Sequence, residues 1–205
     1  MANKPNPILE NLARIRRELM ALSKMKIHVG IQGDEDSELL MIAGVHEYGA
    51  TITAKKAKNL AIPLKPWLKD KSPRDIDNTW ILRTDDGDVF VVRDKGKDEI
   101  EFLFMLLPTV HIPERSFIRG SYDSGKQGIE ATTRMAVDRI IKGEWTAQQA
   151  AENIGLFCVQ MTQEYFNTKL KPKSNITMAS TNQEAPLVES GRLYQSITFK
   201  VEGGE

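Results

Sequence analysis

His46 and Glu47, adjacent in the chain, are its nearest approach to an acid–base pair: an imidazole that titrates near neutrality beside a carboxylate that could orient it. Neighbours on a regular element point in different directions, so the sequence assigns them a hydrogen-bonding role in a loop, not catalysis. The other histidines, His28 in an alternating apolar run and His111 before Ile112-Pro113, stand alone, and no Cys/His spacing makes a metal-ligand cluster. Asp85, Asp86 and Asp88 surround Gly87, but the spaced oxygens and closing glutamate of a calcium loop are missing, which leaves a hairpin turn. Cys158, the single cysteine, falls among apolar residues at helical spacing and reads as a small buried hydrophobe. There is no glycine-rich loop followed by Lys-Ser/Thr, no Gly-x-Ser-x-Gly and no His-Glu-x-x-His. These residues predict no enzyme, no cofactor and no metal. A hydrolase would need His46, Glu47 and an aspartate to converge in space.

The elements that must position any site follow from composition and periodicity. The 205 residues carry 28 basic and 28 acidic side chains, so the total charge asks for neither nucleic acid nor an anionic membrane. That length predicts one domain with room for an inserted arm. A lone cysteine fits reducing surroundings, and the longest apolar run, residues 102–108, is strand-sized, too short for a signal peptide or a membrane span. A soluble protein made in the cytosol is the expectation.

Asn6-Pro7 is a helix cap and first helical residue, followed by Ile8, Leu9, Leu12, Ile15, Leu19 and Leu22 at three- and four-residue steps. Arg14, Arg16, Arg17, Lys24 and Lys26 make this amphipathic helix basic, which suits either a solvated face or a phosphate backbone. Lys26-Ile27-His28-Val29-Gly30-Ile31 reads as a strand, and residues 38–43 as a short helix leading to Gly44. Residues 51–111 form a β-rich excursion, with strands at 60–64, 80–83, 88–93 and 98–107 and a turn at Asp86-Gly87. Helical spacing returns after Arg119 and runs to Lys142-Gly143. A second helix opens on the capping box Thr146-Ala147-Gln148-Gln149 and continues through Leu170 until Lys171-Pro172 stops it. Residues 173–186, rich in Ser, Thr, Asn and Gln, read as a long loop before a final alternating strand.

Four short motifs punctuate these elements. They are Val29-Gly30-Ile31; Glu47-Tyr48-Gly49; Ile112-Pro113-Glu114-Arg115-Ser116-Phe117-Ile118; and Leu187-Val188-Glu189-Ser190-Gly191-Arg192-Leu193-Tyr194-Gln195-Ser196-Ile197. Pro113 restricts the entry to the following helix, and Phe117 and Ile118 can anchor that entry in a core. Arg115 and Arg119 can meet carboxylates, on a neighbouring subunit or, for Arg115, within its own chain. Gly191 permits a positive backbone angle, and Leu193, Ile197 and Phe199 are spaced to share one face of a strand.

In order and spacing these motifs resemble the tail-completion, or head–tail joining, proteins of tailed bacteriophages, which form part of the neck between capsid portal and tail tube. A serine, Ser190, stands where threonine is more usual in that pattern. The resemblance implies a small α+β domain, a mixed or antiparallel sheet packed by two or three helices, with the excursion at about residues 51–111 inserted in it. It also implies a virion protein, assembled in the host cytoplasm, that forms a hexamer-like ring. Its neighbours would be portal-side connector and tail terminator or tube proteins; DNA would be only cargo in the channel, and no membrane would be involved. Glu47, Tyr48, Gly49, Pro113, Arg115, Phe117, Arg119, Gly191, Arg192, Leu193 and Ser196 become the assembly or motif residues. A small nucleic-acid-binding protein using the basic first helix is the alternative reading.

Overall fold

The computed structural model describes residues 6–32, 37–97, 99–170 and 191–204. The predicted loop at 173–186, Leu187 to Ser190 of the last motif, and Asp98 lie outside the described residues. In chain order the elements are α1 (Pro7–Lys24), β1 (Lys26–Ile31), α2 (Ser37–Tyr48), β2 (Ala50–Thr53), β3 (Leu60–Pro63), β4 (Thr79–Arg83), β5 (Val89–Gly96), β6 (Glu99–Leu107), β7 (Thr109–Ile112), α3 (Ile118–Lys142), α4 (Ala147–Thr168), α5 (Arg192–Gln195) and β8 (Ile197–Glu202). The fold is α+β, with small antiparallel sheets, several helices and a β-rich insertion. It divides into a helical unit, made of the chain up to Ala43, Ser116–Leu170 and the chain from Gly191, and a β unit, Gly44–Arg115.

In the helical unit β1 pairs antiparallel with β8, Ile27 opposite Val201, Val29 opposite Phe199 and Ile31 opposite Ile197. Alternation puts these six apolar residues on one face, and Ile27 and Val29 pack on a core of Ala136, Ile140, Ala150, Ile154 and Cys158 from α3 and α4. Gly155 is the close-approach point, since a Cβ there would overlap the Phe199 ring. The turn between α3 and α4 is written in local chemistry. Gly143 takes φ 83° as the left-handed C-cap of α3, and Thr146 and Gln149 exchange hydrogen bonds between side chain and backbone at 3.3 and 3.0 Å.

The first helix docks on that turn by its charges. Two guanidinium nitrogens of Arg14 donate to the Ile140 and Ile141 carbonyls at the C-terminus of α3, at 3.0 and 3.3 Å. One turn later the Glu18 carboxylate accepts from the Ala147 amide, the first residue of α4, at 2.9 Å. A cation thus meets the negative end of one helix dipole and an anion the positive end of the next. Two sequence expectations change here. Arg14 is not on a solvated basic face, and the apolar stripe of α1 is only half used. Leu19 and Leu22 pack on the core, while Ile8, Leu9 and Leu12 are 68%, 63% and 57% exposed. Residues before Arg14 run past the turn on which the helix docks, and those described stay exposed.

The amide of Ala147 and the neighbouring arginines hold the Glu18 carboxyl below the usual carboxylate range. A lowered pKa contributes stability that is fully present above the unfolded value, near 4.3, and is lost as pH falls through the folded one. Glu18→Ala should therefore cost about 1 kcal/mol at neutral pH, as a lost helix cap does. Urea unfolding at neutral and acid pH checks this. The gap between wild type and variant should close in acid, and a gap that stays constant would show that the carboxylate charge is not what matters.

The β unit holds two sheets. Strands β2 and β7 pair antiparallel, Ala50 opposite Ile112 and Thr53 opposite Thr109, and the larger sheet runs β3-β6-β5-β4 with every neighbour antiparallel. The β4–β5 hairpin closes where the aspartates predicted a turn. Gly87 has φ 91°, its amide donates to the Thr84 carbonyl at 3.0 Å, and the Asp88 amide donates to Thr84 Oγ1 at 3.1 Å. The unit has its own core of Leu68, Val91, Leu103 and Phe104. The β2–β7 ladder was not legible in the sequence: each strand is only four residues long and has no fully buried side chain, and the two lie at opposite ends of the insertion.

Candidate functional site

The second helix corrects the expectation for His46 and Glu47. It does not stop at Gly44 but runs on to Tyr48, placing both residues in a last helical turn instead of a loop. The stop is Gly49, whose φ of 71° is the left-handed conformation that terminates helices at least cost in glycine. Two glycines stood near the end of this helix, and only the second has the backbone angle that ends it.

That stop brings two of the four motifs together inside the β unit. A Cβ on Gly49 would lie 3.0 Å from both the Ile112 carbonyl oxygen and the Glu114 nitrogen. The Arg115 amide donates to the His46 carbonyl at 2.8 Å, and Ala50 pairs with Ile112. Glu47-Tyr48-Gly49 and Ile112-Pro113-Glu114-Arg115 are thus one backbone-to-backbone joint, with Glu47 buried and Tyr48 70% exposed beside it. Arg115 is half-buried, and desolvation pushes its guanidinium pKa down; Pro113 is exposed.

In the helical unit the other two motifs meet. Val29, Gly30 and Ile31 pair with Phe199, Thr198 and Ile197, and a Cβ on Gly30 would touch Ile118 Cδ1 at 3.5 Å. Phe117 is fully buried, its ring edge-to-face with Phe166 at 5.5 Å, and Phe166 is edge-to-face with Tyr194 at 6.0 Å. Arg119 is exposed on the first turn of α3. Leu193 is buried, but not as part of the final strand as its spacing suggested. Gly191, at φ 65°, opens a single helical turn instead. The Gln195 amide donates to the Gly191 carbonyl at 2.9 Å, the Ser196 amide to Arg192 at 3.0 Å, and the Ser196 hydroxyl to the Leu193 carbonyl at 2.9 Å. Ile197 and Phe199 do share a face of β8. Arg192 is exposed.

An apolar groove of about 700 Å³ lies between β1, α3 and α4, lined by Met25, Ile27, Val29, Tyr122, Ile129 and Met161 among others. Its polar wall is already engaged. The Ser121 and Thr162 hydroxyls are 3.0 Å apart and donate to the Ile118 and Cys158 carbonyls, and burial pushes the Cys158 thiol pKa up, away from a reactive thiolate. Among the described residues no group of three or more His, Cys, Asp or Glu could hold a metal ion, and no helix is long and apolar enough to cross a membrane. The basic face of α1 is thinner than the sequence suggested, with Arg14 on the α3 carbonyls and Arg17 3.2 Å from Glu18.

No protein-family model, curated protein or solved structure matches the chain.

Proposed function

We propose that this chain is a structural component of the neck of a tailed bacteriophage, which joins or completes the tail at the head–tail interface by assembling with copies of itself in a ring. The observation that carries the reading is that the four motifs meet in two pairs, one in each unit. Glu47-Tyr48-Gly49 abuts Ile112 to Arg115, and Val29-Gly30-Ile31 pairs with the strand that begins at Ile197. Residues far apart in sequence act as two joints, which gives a physical reason for the members of each pair to occur together. Exposed apolar surface at Ile8, Leu9, Leu12 and Tyr48 supplies material for contacts with neighbouring subunits, the portal-side connector or the tail terminator.

Particles assembled without the chain should appear in electron micrographs as filled heads beside detached or unstable tails. Joined, infectious particles in its absence would overturn the reading. Tyr48→Ala tests the surface more finely. Its side chain is 70% exposed, so the purified variant should keep its stability within about 0.5 kcal/mol while the yield of joined particles falls.

A further inference from the structure

The chain is neutral overall, but positions 55–74 carry seven Lys and Arg residues against a single acid, Asp70. This basic stretch is ordered. It enters the sheet as β3 and makes a 3-10 turn at Pro66–Leu68, anchored by fully buried Leu68. It then makes a second turn at Pro73–Asp75, where Ser72 and Asp75 exchange capping hydrogen bonds. Because Leu68 points inward, its neighbour Trp67 is turned outward and is 45% exposed, with Lys71 Nζ 5.0 Å and the Arg93 guanidinium 5.9 Å from its ring centroid. The same unit holds a cleft of about 970 Å³, with Ala61, Val91 and Leu106 in its wall and Lys56, Arg74 and Trp80 along it. Trp80 is 39% exposed.

We propose that this face of the β unit binds single-stranded nucleic acid, the cations following the phosphate backbone and Trp67 stacking a base. A half-exposed indole, Trp67, with a lysine and an arginine at its ring distinguishes such a site from a merely solvated charge run, because every base offers a π-face and every linkage a charge. The single-stranded form is favoured over a duplex because only unstacked bases can reach an indole. The inference does not depend on the role in the phage neck and can fail or hold separately.

The test uses the full chain with a fluorescently labelled oligothymidylate and a duplex of equal length. Binding to the single strand should weaken steeply with added salt and quench tryptophan emission. Trp67→Leu should weaken binding about tenfold and remove most of the quench, as loss of one stacked base does. Reversal of Lys55, Lys56 and Lys58 to Glu should weaken it further and flatten the salt dependence, by about 0.7 in logarithmic slope for each lost phosphate contact. The lysines are exposed and Trp67 is half-exposed, so the variants should stay folded with the far-ultraviolet circular dichroism of the wild type. Reversal of Arg16 and Arg17 to Glu, on α1, should leave the binding of the single strand unchanged.

Absence of salt-dependent binding would overturn the proposal, as would an unaltered Trp67→Leu affinity or equal binding of the duplex. Equal displacement by an acidic peptide would overturn it in favour of a protein partner. So would a charge reversal that changes only self-association, with the acidic hairpin around Asp85, Asp86 and Asp88 of a second copy as the counterpart.

Discussion

Phe117→Ala is expected to cost about 3 to 5 kcal/mol, the largest loss from any single truncation in the motifs. The side chain is completely buried, and its ring stands between the start of α3 and Phe166 near the end of α4, which in turn meets Tyr194 of α5. Truncation therefore removes transfer free energy and also leaves a cavity where three elements meet. Those elements are held by helix ends that relax poorly into a void, because the backbone there is tied by the Ser121–Phe117 hydrogen bond at 3.3 Å and the Ser196–Arg192 bond at 3.0 Å. Urea unfolding followed by near-ultraviolet circular dichroism checks the magnitude. Phe117→Leu, which refills much of the volume, should recover more than half of the loss. A cost below about 1 kcal/mol for the alanine variant would mean the site collapses freely, and Phe117 would then be no keystone of the helical unit.

Gly49→Ala should destabilise the β unit by about 1 to 3 kcal/mol, a large effect for the addition of one methyl group. Two terms act together. The backbone angle of 71° is one that a residue with a Cβ rarely adopts, and the added carbon would sit 3.0 Å from two backbone atoms, the Ile112 oxygen and the Glu114 nitrogen. Neither neighbour can rotate away as a flexible side chain could, so relief must come from the Arg115–His46 hydrogen bond or the β2–β7 ladder. Hydrogen exchange locates the damage. Amides of β2 and β7 should lose protection in the variant while those of β1 and β8 keep theirs. Gly44→Ala serves as the control. It lies inside α2 with no atom within 4 Å of an added Cβ, so it should be neutral or mildly stabilising by virtue of helix propensity. Equal losses at the two glycines would refute the assignment of Gly49 as the joint.

The sequence by itself determined the features whose partners lie within a turn or two along the chain. The Asn6 side chain caps α1, Gly143 ends α3, Thr146 and Gln149 close the capping box, and Gly87 turns the β4–β5 hairpin, each through hydrogen bonds spanning a few residues. Alternation likewise told which face of β8 is apolar, because period-2 burial is a local pattern. Other features needed the tertiary structure, since their partners are separated by most of the chain. Ile31 faces Ile197, Arg14 reaches the Ile140 carbonyl, Glu18 caps α4 and Gly49 rests on Glu114. The same holds for choices between locally equivalent signals. Gly44 and Gly49 are equally good stops for a helix on propensity, and the apolar stripe of α1 is continuous from Ile8 to Leu22. Only the position of the α3–α4 turn along that stripe decided that Leu19 and Leu22 are covered and Ile8, Leu9 and Leu12 are not. Burial belongs to the path of the whole chain, and residue spacing states only which side chains could share it.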